Sequence, residues 1–535
     1  MCADATGESV ADDAVVTDDE QQDQGTRSTA DEPADRVEEL GFDLRDLESV
    51  THGALITVAG LLLQKALLFG ANLLLTRGLG VSAYGVYAFG QRLVMMIRGV
   101  ASLGVGAALV RFIPAAADDP GRRNRVLGLA TVTTLLASTA AAILIAVFAP
   151  AINRITLGEP AFPAVLRLFA VALPLYALLG VTASSFRGLE RPAEQALIAR
   201  VGRPGARVVG VGVPLLFGAA VAGVVVGQVV ATAIAMGAAA LLLLRRTDLR
   251  PSVPRTEEVR EYFRYALPVA ASTVGRLLRS RVDVLLVGFL LTAGAAGVYN
   301  VALFLTGFIT LPLLAFNQLL PPVASRLYAD DRVDQVDEVY STVTRLVFTG
   351  ALYVAAVEVT YRGELLGLFG AEFQRGGPVM VAFALGQLVH AGVGATGWLL
   401  LMTDNQYLEA ANNWILGVLN VTLSYLLVLR FGLIGAAVGT AGSLAVMNVA
   451  RVTQLRYVEG LFAFDRTFLK PVAAGLALVG TLLVADAALE GPRLLVAGSL
   501  AGAVVYLAAL YALGVEPADR ALLASLVAEY VDDAS

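Results

Sequence analysis

From Gly53 onward the chain is a succession of long apolar runs separated by short polar connections. Fourteen runs approach the roughly 20 residues a helix needs to cross about 30 Å of hydrocarbon. They fall at 53–76, 86–112, 126–149, 163–186, 193–216, 219–244, 266–291, 297–321, 341–360, 377–402, 408–429, 432–455, 468–488 and 493–514. The fifth run is interrupted by Arg200, Arg203 and Arg207, whose spacing of three and four makes one polar stripe facing protein or water rather than lipid. The seventh carries Arg-Leu-Leu-Arg-Ser-Arg-Val-Asp at its middle, residues 276–283. On a helix Arg276, Arg279 and Asp283 share a face, while Arg281 points elsewhere. Charges at that depth cost about 2.5–3.5 kcal/mol each and so face a bundle interior or a wet cavity. An Arg279–Asp283 pair that merely holds helices together is the structural alternative, but one carboxylate does not neutralise three arginines.

The runs are organised as a repeat. Ala83-Tyr-Gly-Val-Tyr87 matches Ala295-Ala-Gly-Val-Tyr299, Ala117-Asp-Asp119 matches Ala329-Asp-Asp331, and Gly223-Val-Val-Val-Gly227 matches Gly435-Ala-Ala-Val-Gly439. All three pairs share one offset of 212 residues (295 − 83, 329 − 117, 435 − 223). Six runs separate equivalent points, so the halves enter the membrane with the same orientation, as two lobes about an axis along the membrane normal with a cavity between them. The long connection Arg245–Arg264, with Pro251 and Pro254, divides them. The expected fold is therefore all-α integral membrane, with an N-lobe at 51–246, a C-lobe at 247–456 and two further helices within 457–515. Residues 1–50 lack the apolar content to pack and have no signal-peptide layout; they are expected to be a disordered cytoplasmic tail, with a short amphipathic helix at Val37–Leu47. Residues 516–535, with Leu522, Leu523, Leu526, Val527, Tyr530 and Val531 on one side, predict a cytoplasmic interfacial helix.

Charge then fixes orientation. Connections after even-numbered runs hold most of the arginines, among them Arg122, Arg123, Arg125, Arg245, Arg246, Arg250, Arg345 and Arg451, which places both termini in the cytoplasm of a cell-membrane protein. The first 50 residues hold 16 acids against 3 arginines and the last 20 hold 5 against one; the whole is −6, so the stretch between carries +11. With 57% hydrophobic residues, 16% charged residues and a mean hydropathy of +0.71, the composition excludes a string of soluble domains. Only Lys65 and Lys470 are lysines, and an acidic, lysine-poor surface points to a halophilic archaeon, although a GC-rich genome gives similar usage. The single cysteine, Cys2, permits no internal disulfide.

Span number, the Leu-Gly-x-x-x-x-Gly-x-Tyr pattern at Leu79–Tyr87, the Arg-Val-Asp-x-Leu-Leu-x-Gly pattern at Arg281–Gly288 and the Gly-x-x-x-Gly helices at 223 and 435 together resemble one family. It is the oligosaccharide flippases of polysaccharide biosynthesis, the Wzx-like branch of the multidrug/oligosaccharidyl-lipid/polysaccharide exporter superfamily. The resemblance covers about residues 50–515. It implies a transporter, not an enzyme, that carries a lipid-linked glycan on a polyprenyl or dolichyl phosphate or diphosphate to the outer leaflet.

The residues suit that task. Arginine binds phosphate bidentately and stays charged. The phosphate candidates are Lys65, Arg92, Arg98, Arg276, Arg279 and Arg281, each with an interhelical ion pair or a snorkelling side chain as its bland alternative. Gln64, Asn300, Thr306 and Thr310 are candidates for sugar hydroxyls, although helix–helix hydrogen bonding is the commoner use of such residues. Asp283, Glu358 and His390 are candidates for coupling to an ion gradient. No cofactor or metal, and no nucleic-acid partner, is expected; membrane lipids, the glycan substrate and glycosyltransferases of its pathway are, with the protein a monomer. A cation-coupled drug exporter of the same superfamily is the nearer alternative. A membrane prenyltransferase using Asp330, Asp331 and Asp334 is the further one, and lacks the second Asp-rich motif such enzymes need; those acids read better as a helix start capped near Asp330.

Overall fold

A computed structural model describes the backbone of residues 44–516 and Asp519, and the side chains of 59–273, 282–317, 320, 324–516 and 519. The tail 1–43, nearly all of the C-terminal segment 517–535 and the side chains of Arg276, Arg279 and Arg281 lie outside the described residues.

All regular structure among the described residues is helical. Helix α1 (Leu44–Ala101) contains two of the predicted runs, with Gly80 at φ 75° between them. Tyr84 Oη donates to Asn72 Oδ1 at 3.2 Å across this point. In a straight helix those residues stand roughly 18 Å apart, so the chain doubles back at Gly80 without a loop. Gly104, at φ 74°, then starts α2 (Val105–Phe112), ending the second run's first helix at Ala101. There follow α3 (Pro120–Ile155), α4 (Phe162–Gly188), a short turn and a π-helical turn (Leu197–Gly202) leading into α5 (Arg203–Leu216), and α6 (Val221–Arg246).

The second half begins with α7 (Thr256–Leu290), followed by α8 (Ala293–Thr306) and α9 (Leu311–Ala329). The last two are bent by 54° across residues 307–310. Pro312 accounts for the break, since its ring would clash with the carbonyl of residue 308 in a continuous helix. After α10 (Val333–Thr360), α11 (Gly377–Gly392) and α12 (Thr396–Met402), helix α13 (Gln406–Val458) again holds two runs, folded at Gly432 (φ 58°). Ser424 and Thr440 hydroxyls meet at 3.3 Å across that fold. Helices α14 (Leu469–Ala488) and α15 (Ser499–Ala512) pack against α10 through Leu478, Leu482, Tyr506 and Tyr361.

By length and apolarity nine helices among the described residues qualify to cross a membrane, or ten if the α8–α9 pair is one span. The folded helices α1 and α13 count once each there, and α7 with its midpoint charges does not qualify. Helix limits recur at the sequence offset. Helix α6 runs Val221–Arg246, and the second arm of α13, after Gly432, ends at Val458, 212 residues after Arg246. One expectation fails: Arg332, not Asp330, precedes α10, while Asp330 closes α9 and Asp331 sits at φ 61°. Its partner in the first half does cap, as Asp119 Oδ1 accepts from the Arg122 amide at 2.9 Å.

The halves meet at the repeated Gly-Val-Tyr motif. A Cβ on Gly85 would overlap the Ala293 carbonyl oxygen, and one on Gly297 would lie 2.7 Å from the Val81 carbonyl oxygen. Ala293 is 212 residues after Val81 and Gly297 is 212 after Gly85, so the contact is reciprocal about a local two-fold. Helix α7 is shared between the halves. Its start packs on the first, with Tyr262 against Phe112 and Arg111 over Tyr265 at 4.4 Å. Its end carries Asp283 to α13.

Candidate substrate path

Beside the Gly85–Gly297 contact lies a continuous polar seam. Arg92 donates to Asn300 Oδ1 (2.9 Å), Asn300 to Tyr84 Oη (2.6 Å), and Tyr84 to Asn72 Oδ1, which also accepts from Arg207 (3.3 Å). The Arg207 guanidinium stands 5.7 Å over the Tyr87 ring, and Tyr87 Oη donates to Gln228, whose amide donates to Tyr176 Oη at 2.8 Å. Arg98 donates to the Tyr176 carbonyl at 3.3 Å and lies within electrostatic reach of Arg203. The seam thus joins α1, α4, α5, α6 and α8.

The predicted phosphate candidates divide three ways. Arg92 and Arg98 belong to the seam. Lys65 donates to the Gly307 carbonyl (3.3 Å) at the α8–α9 break and lies 5.2 Å over Phe308. The three α7 arginines are outside the described side chains. Arg98, Arg203 and Arg207 are half-buried, form no ion pair with a carboxylate among the described residues, and the Nε atoms of Arg98 and Arg207 are buried without a partner. The arginine stripe read in the fifth run therefore turns inward, as expected of charge in an apolar segment.

Of the sugar candidates, Asn300 is in the seam and Gln64 is half-buried beside Lys65. Thr306 is fully buried and returns its hydroxyl to the Ala302 carbonyl (3.0 Å), and Thr310 likewise bonds the Gly307 carbonyl (3.2 Å). Both hydroxyls satisfy backbone at the break, the local use that competes with any ligand role.

The coupling candidates lie in the second half. Asp283, 3% exposed, accepts from Tyr299 Oη (3.0 Å) and Thr440 Oγ1 (3.4 Å), and Thr440 also donates to Asn420 (3.3 Å). Tyr87 with Gln228 and Tyr299 with Thr440 are equivalent pairs at the 212-residue offset, so each half ties its motif tyrosine into a polar cluster that includes its sixth-helix side chain. Buried Glu358 has Oε2 without a hydrogen-bond partner and feels the Lys65 charge. His390 meets Asn448 at 3.2–3.4 Å. Sequence reading missed Asn72, Tyr84, Tyr176, Gln228, Asn420 and Thr440. The motif already pointed at Tyr87 and Tyr299, but Gln228 lies 141 residues from Tyr87, and Thr440, which meets Tyr299's partner Asp283, lies 157 residues from that aspartate. Asp330, Asp331 and Asp334 are exposed, and among the described residues no three His, Cys, Asp or Glu side chains converge as a metal site.

The model of the family described as "Polysaccharide biosynthesis protein" matches residues 50–328, just over half of the chain. The chain belongs to that family. A curated relative, the probable low-salt glycan biosynthesis flippase Agl15 of Haloferax volcanii, is 28% identical over 403 residues, covering 71% of this chain and 79% of that one. Among solved structures, the lipid II flippase MurJ in an inward closed conformation superposes with a TM-score of 0.68 at 14% identity, over 85% of this chain and 98% of that one. A multidrug-resistance MATE transporter of the MOP superfamily, inward-facing, gives 0.56 at 17% identity over 74% and 94%. At such identities these two likenesses speak for the fold alone. This polysaccharide biosynthesis protein is thus a multi-pass helical membrane protein whose seam crosses between halves of a fold also seen in MurJ and MATE transporters.

Proposed function

We propose that this protein is a flippase that moves a lipid-linked oligosaccharide, on a polyprenyl or dolichyl phosphate or diphosphate carrier, from the cytoplasmic to the outer leaflet by alternating access. The observation that carries the reading is the set Arg98, Arg203 and Arg207: half-buried cations within apolar helices, with no carboxylate partner among the described residues. Such charge is costly unless it has an anion to meet, and the phosphate of a glycan carrier is one. Family membership and the Haloferax relative favour a glycan cargo.

In this reading the lobes are 51–246 and 247–456, both termini are cytoplasmic, and the cell membrane houses a monomer beside its pathway's glycosyltransferases. Arg276, Arg279 and Arg281 are further phosphate candidates by sequence, and their side chains lie outside the described residues. Asp283, linked to Tyr299 and Thr440 on α8 and α13, senses a coupling ion, because protonating or liganding it alters three helices at once.

The test is a deletion strain of the source organism. Lipid-linked glycan should accumulate in the inner leaflet while surface glycosylation falls; unchanged surface glycosylation would reject the reading. In complementation, Arg98→Ala with Arg207→Ala should lower flipping about 100-fold or more at unchanged expression, the two desolvated phosphate contacts being taken at about 1.5–3 kcal/mol each.

A further inference from the structure

Away from the seam, a cleft of about 420 Å³ opens where the start of α3, the end of α4 and the end of α6 come together. Its charged lining is Arg123, Arg191, Arg245, Arg246 and Arg250 against one acid, Asp248. Two arginines form a fixed frame. Arg250 donates to the carbonyls of Leu244 (2.8 Å), Thr247 (2.9 Å) and Leu249 (2.8 Å), closing the end of α6, and Arg191 donates to the Arg246 carbonyl (2.6 Å). The strap after α6 is pinned to α3 by the Arg250 amide on Asn124 Oδ1 (2.7 Å) and the Ser252 amide on the Asn124 carbonyl (3.1 Å). It packs so closely that a Cβ on Gly128 would overlap the Ser252 carbonyl oxygen. The other three are uncommitted: Arg123 Nε is buried without a partner, and the exposed Arg245 and Arg246 side chains make no hydrogen bond or ion pair among the described residues.

Arginines at a helix end serve in many proteins as interfacial anchors or as partners of the helix dipole. The repeat supplies an internal control for that explanation. The positions matched to the five arginines are Gln335, Thr403, Tyr457, Val458 and Phe462, none of them cationic, while Pro120 and Leu244 of the lining match Arg332 and Arg456. The neighbouring Arg456 is turned to the Gly460 carbonyl (2.9 Å) and the Phe462 ring. The same corner of the fold is therefore built with two arginines rather than five, and the capping explanation does not account for the additional charge in the first half.

We propose that the cleft is a phosphate-binding site, separate from the transport seam, and that it takes a phosphate mono- or diester. Planar guanidinium groups on a rigid frame, with free N–H donors beside them, are the arrangement that recognises such groups. An adjoining apolar surface favours a lipid as the bearer: Val230, Ile234, Leu241 and Leu244 on α6 are 53%, 67%, 48% and 39% exposed, and the row ends at the cleft, where a lipid chain would lie beside its headgroup. The inference does not depend on the flippase reading.

The experiment uses the purified full-length chain in detergent and native mass spectrometry with phosphatidylglycerol or phosphatidylcholine added. Both lipids carry a phosphate, but only the first is net anionic. Phosphatidylglycerol retention should exceed phosphatidylcholine retention. It should fall about tenfold in Arg245→Gln/Arg246→Gln, a substitution at exposed, unpaired side chains, and in the separate variant Arg123→Gln. Added inorganic phosphate that displaces the lipid shows that the phosphate alone is recognised and a soluble ester suffices. Resistance to phosphate, with the loss in the variants intact, shows a lipid headgroup held also by its chain. Equal retention of the two lipids, or retention unchanged in both variants while unfolding temperatures match the parent, overturns the proposal.

Discussion

At the scale of single residues, the structure separates charge that is neutralised from charge that is kept. Arg345 and Arg451 read in sequence as basic loop residues, yet both are buried in helices. Arg345 Nε donates to Asp519 at 3.0 Å, and Arg451 makes a bidentate pair with Glu409 at 2.9 and 2.7 Å. Breaking such a pair leaves a buried charge without a counter-ion, at about 3–5 kcal/mol. Glu409→Gln should accordingly lower the unfolding temperature in detergent, and Glu409→Leu combined with Arg451→Met should recover much of the loss; an unchanged Glu409→Gln would show the pair to be idle. A span-by-span reading has no access to this pairing, because Glu409 and Arg451 are 42 residues apart in two arms of one folded helix. The seam arginines were legible for the opposite reason: their polar stripe is local, and the helix period alone turns it inward. At the protein surface, Asp119 titrates at an accessible pH. The hydrogen bond from the Arg122 amide, with Arg125 beside it, holds its carboxyl below the ordinary value of 3.8. Its contribution is therefore complete above that ordinary value and is lost as pH falls through the lower native one. Protection from hydrogen exchange at the start of α3, taken relative to the intrinsic rate at each pH, should fall as the pH drops through that range, and should be low already at neutral pH in Asp119→Ala.

At the scale of elements, the decisive positions are those where a helix stops. Apolar run lengths located long helices, but not that the first and second runs, or the eleventh and twelfth, are joined by single residues. Gly80 and Gly432 make those folds by taking φ 75° and 58°. With ψ at 175° and −135° both lie outside the left-handed helical region, in conformations that cost side chains other than glycine roughly 1–3 kcal/mol. Gly442, in the second arm of α13, has helical surroundings and open space around it. Gly432→Ala should therefore destabilise the protein by about that amount, while Gly442→Ala should be neutral or stabilising by up to about 1 kcal/mol. Equal unfolding temperatures for the two variants would mean that the fold at Gly432 is not set by its backbone. The break between α8 and α9 was legible through Pro312, but the hydroxyls of Thr306 and Thr310 were not. From composition they look available for ligand; each donates to a carbonyl of its own turn, which leaves the hydroxyl oxygen as an acceptor only.

At the scale of the molecule, the repeat was the most informative feature of the sequence, because a shared offset predicts contacts as well as similarity. Gly85 and Gly297 approach so closely that neither tolerates a methyl group, each meeting the backbone that the repeat assigns to the other. Packing this tight, next to a seam that crosses between the halves through Arg92 and Asn300, closes one end of the interface. If the protein works by alternating access, this end must separate once per cycle, and the two glycines set the free energy of the closed arrangement. Gly85→Ala should wedge the halves apart by steric overlap with the Ala293 carbonyl while leaving each half's own packing intact. The chain has a single cysteine, Cys2, so a cysteine-free background needs one substitution. Spin labels at the exposed positions Ser82 and Thr292 then report the gap at this end. The parent should give a short, narrow distance distribution, and Gly85→Ala a longer and broader one, with transport impaired because closure at this end is disfavoured. An identical distribution in the variant would mean that the contact yields locally, and that some other pair of surfaces governs closure. Gly297→Ala provides the symmetric check: because the contact is reciprocal, it should open the same gap in the same direction, whereas a defect confined to one half would move only one of the two variants.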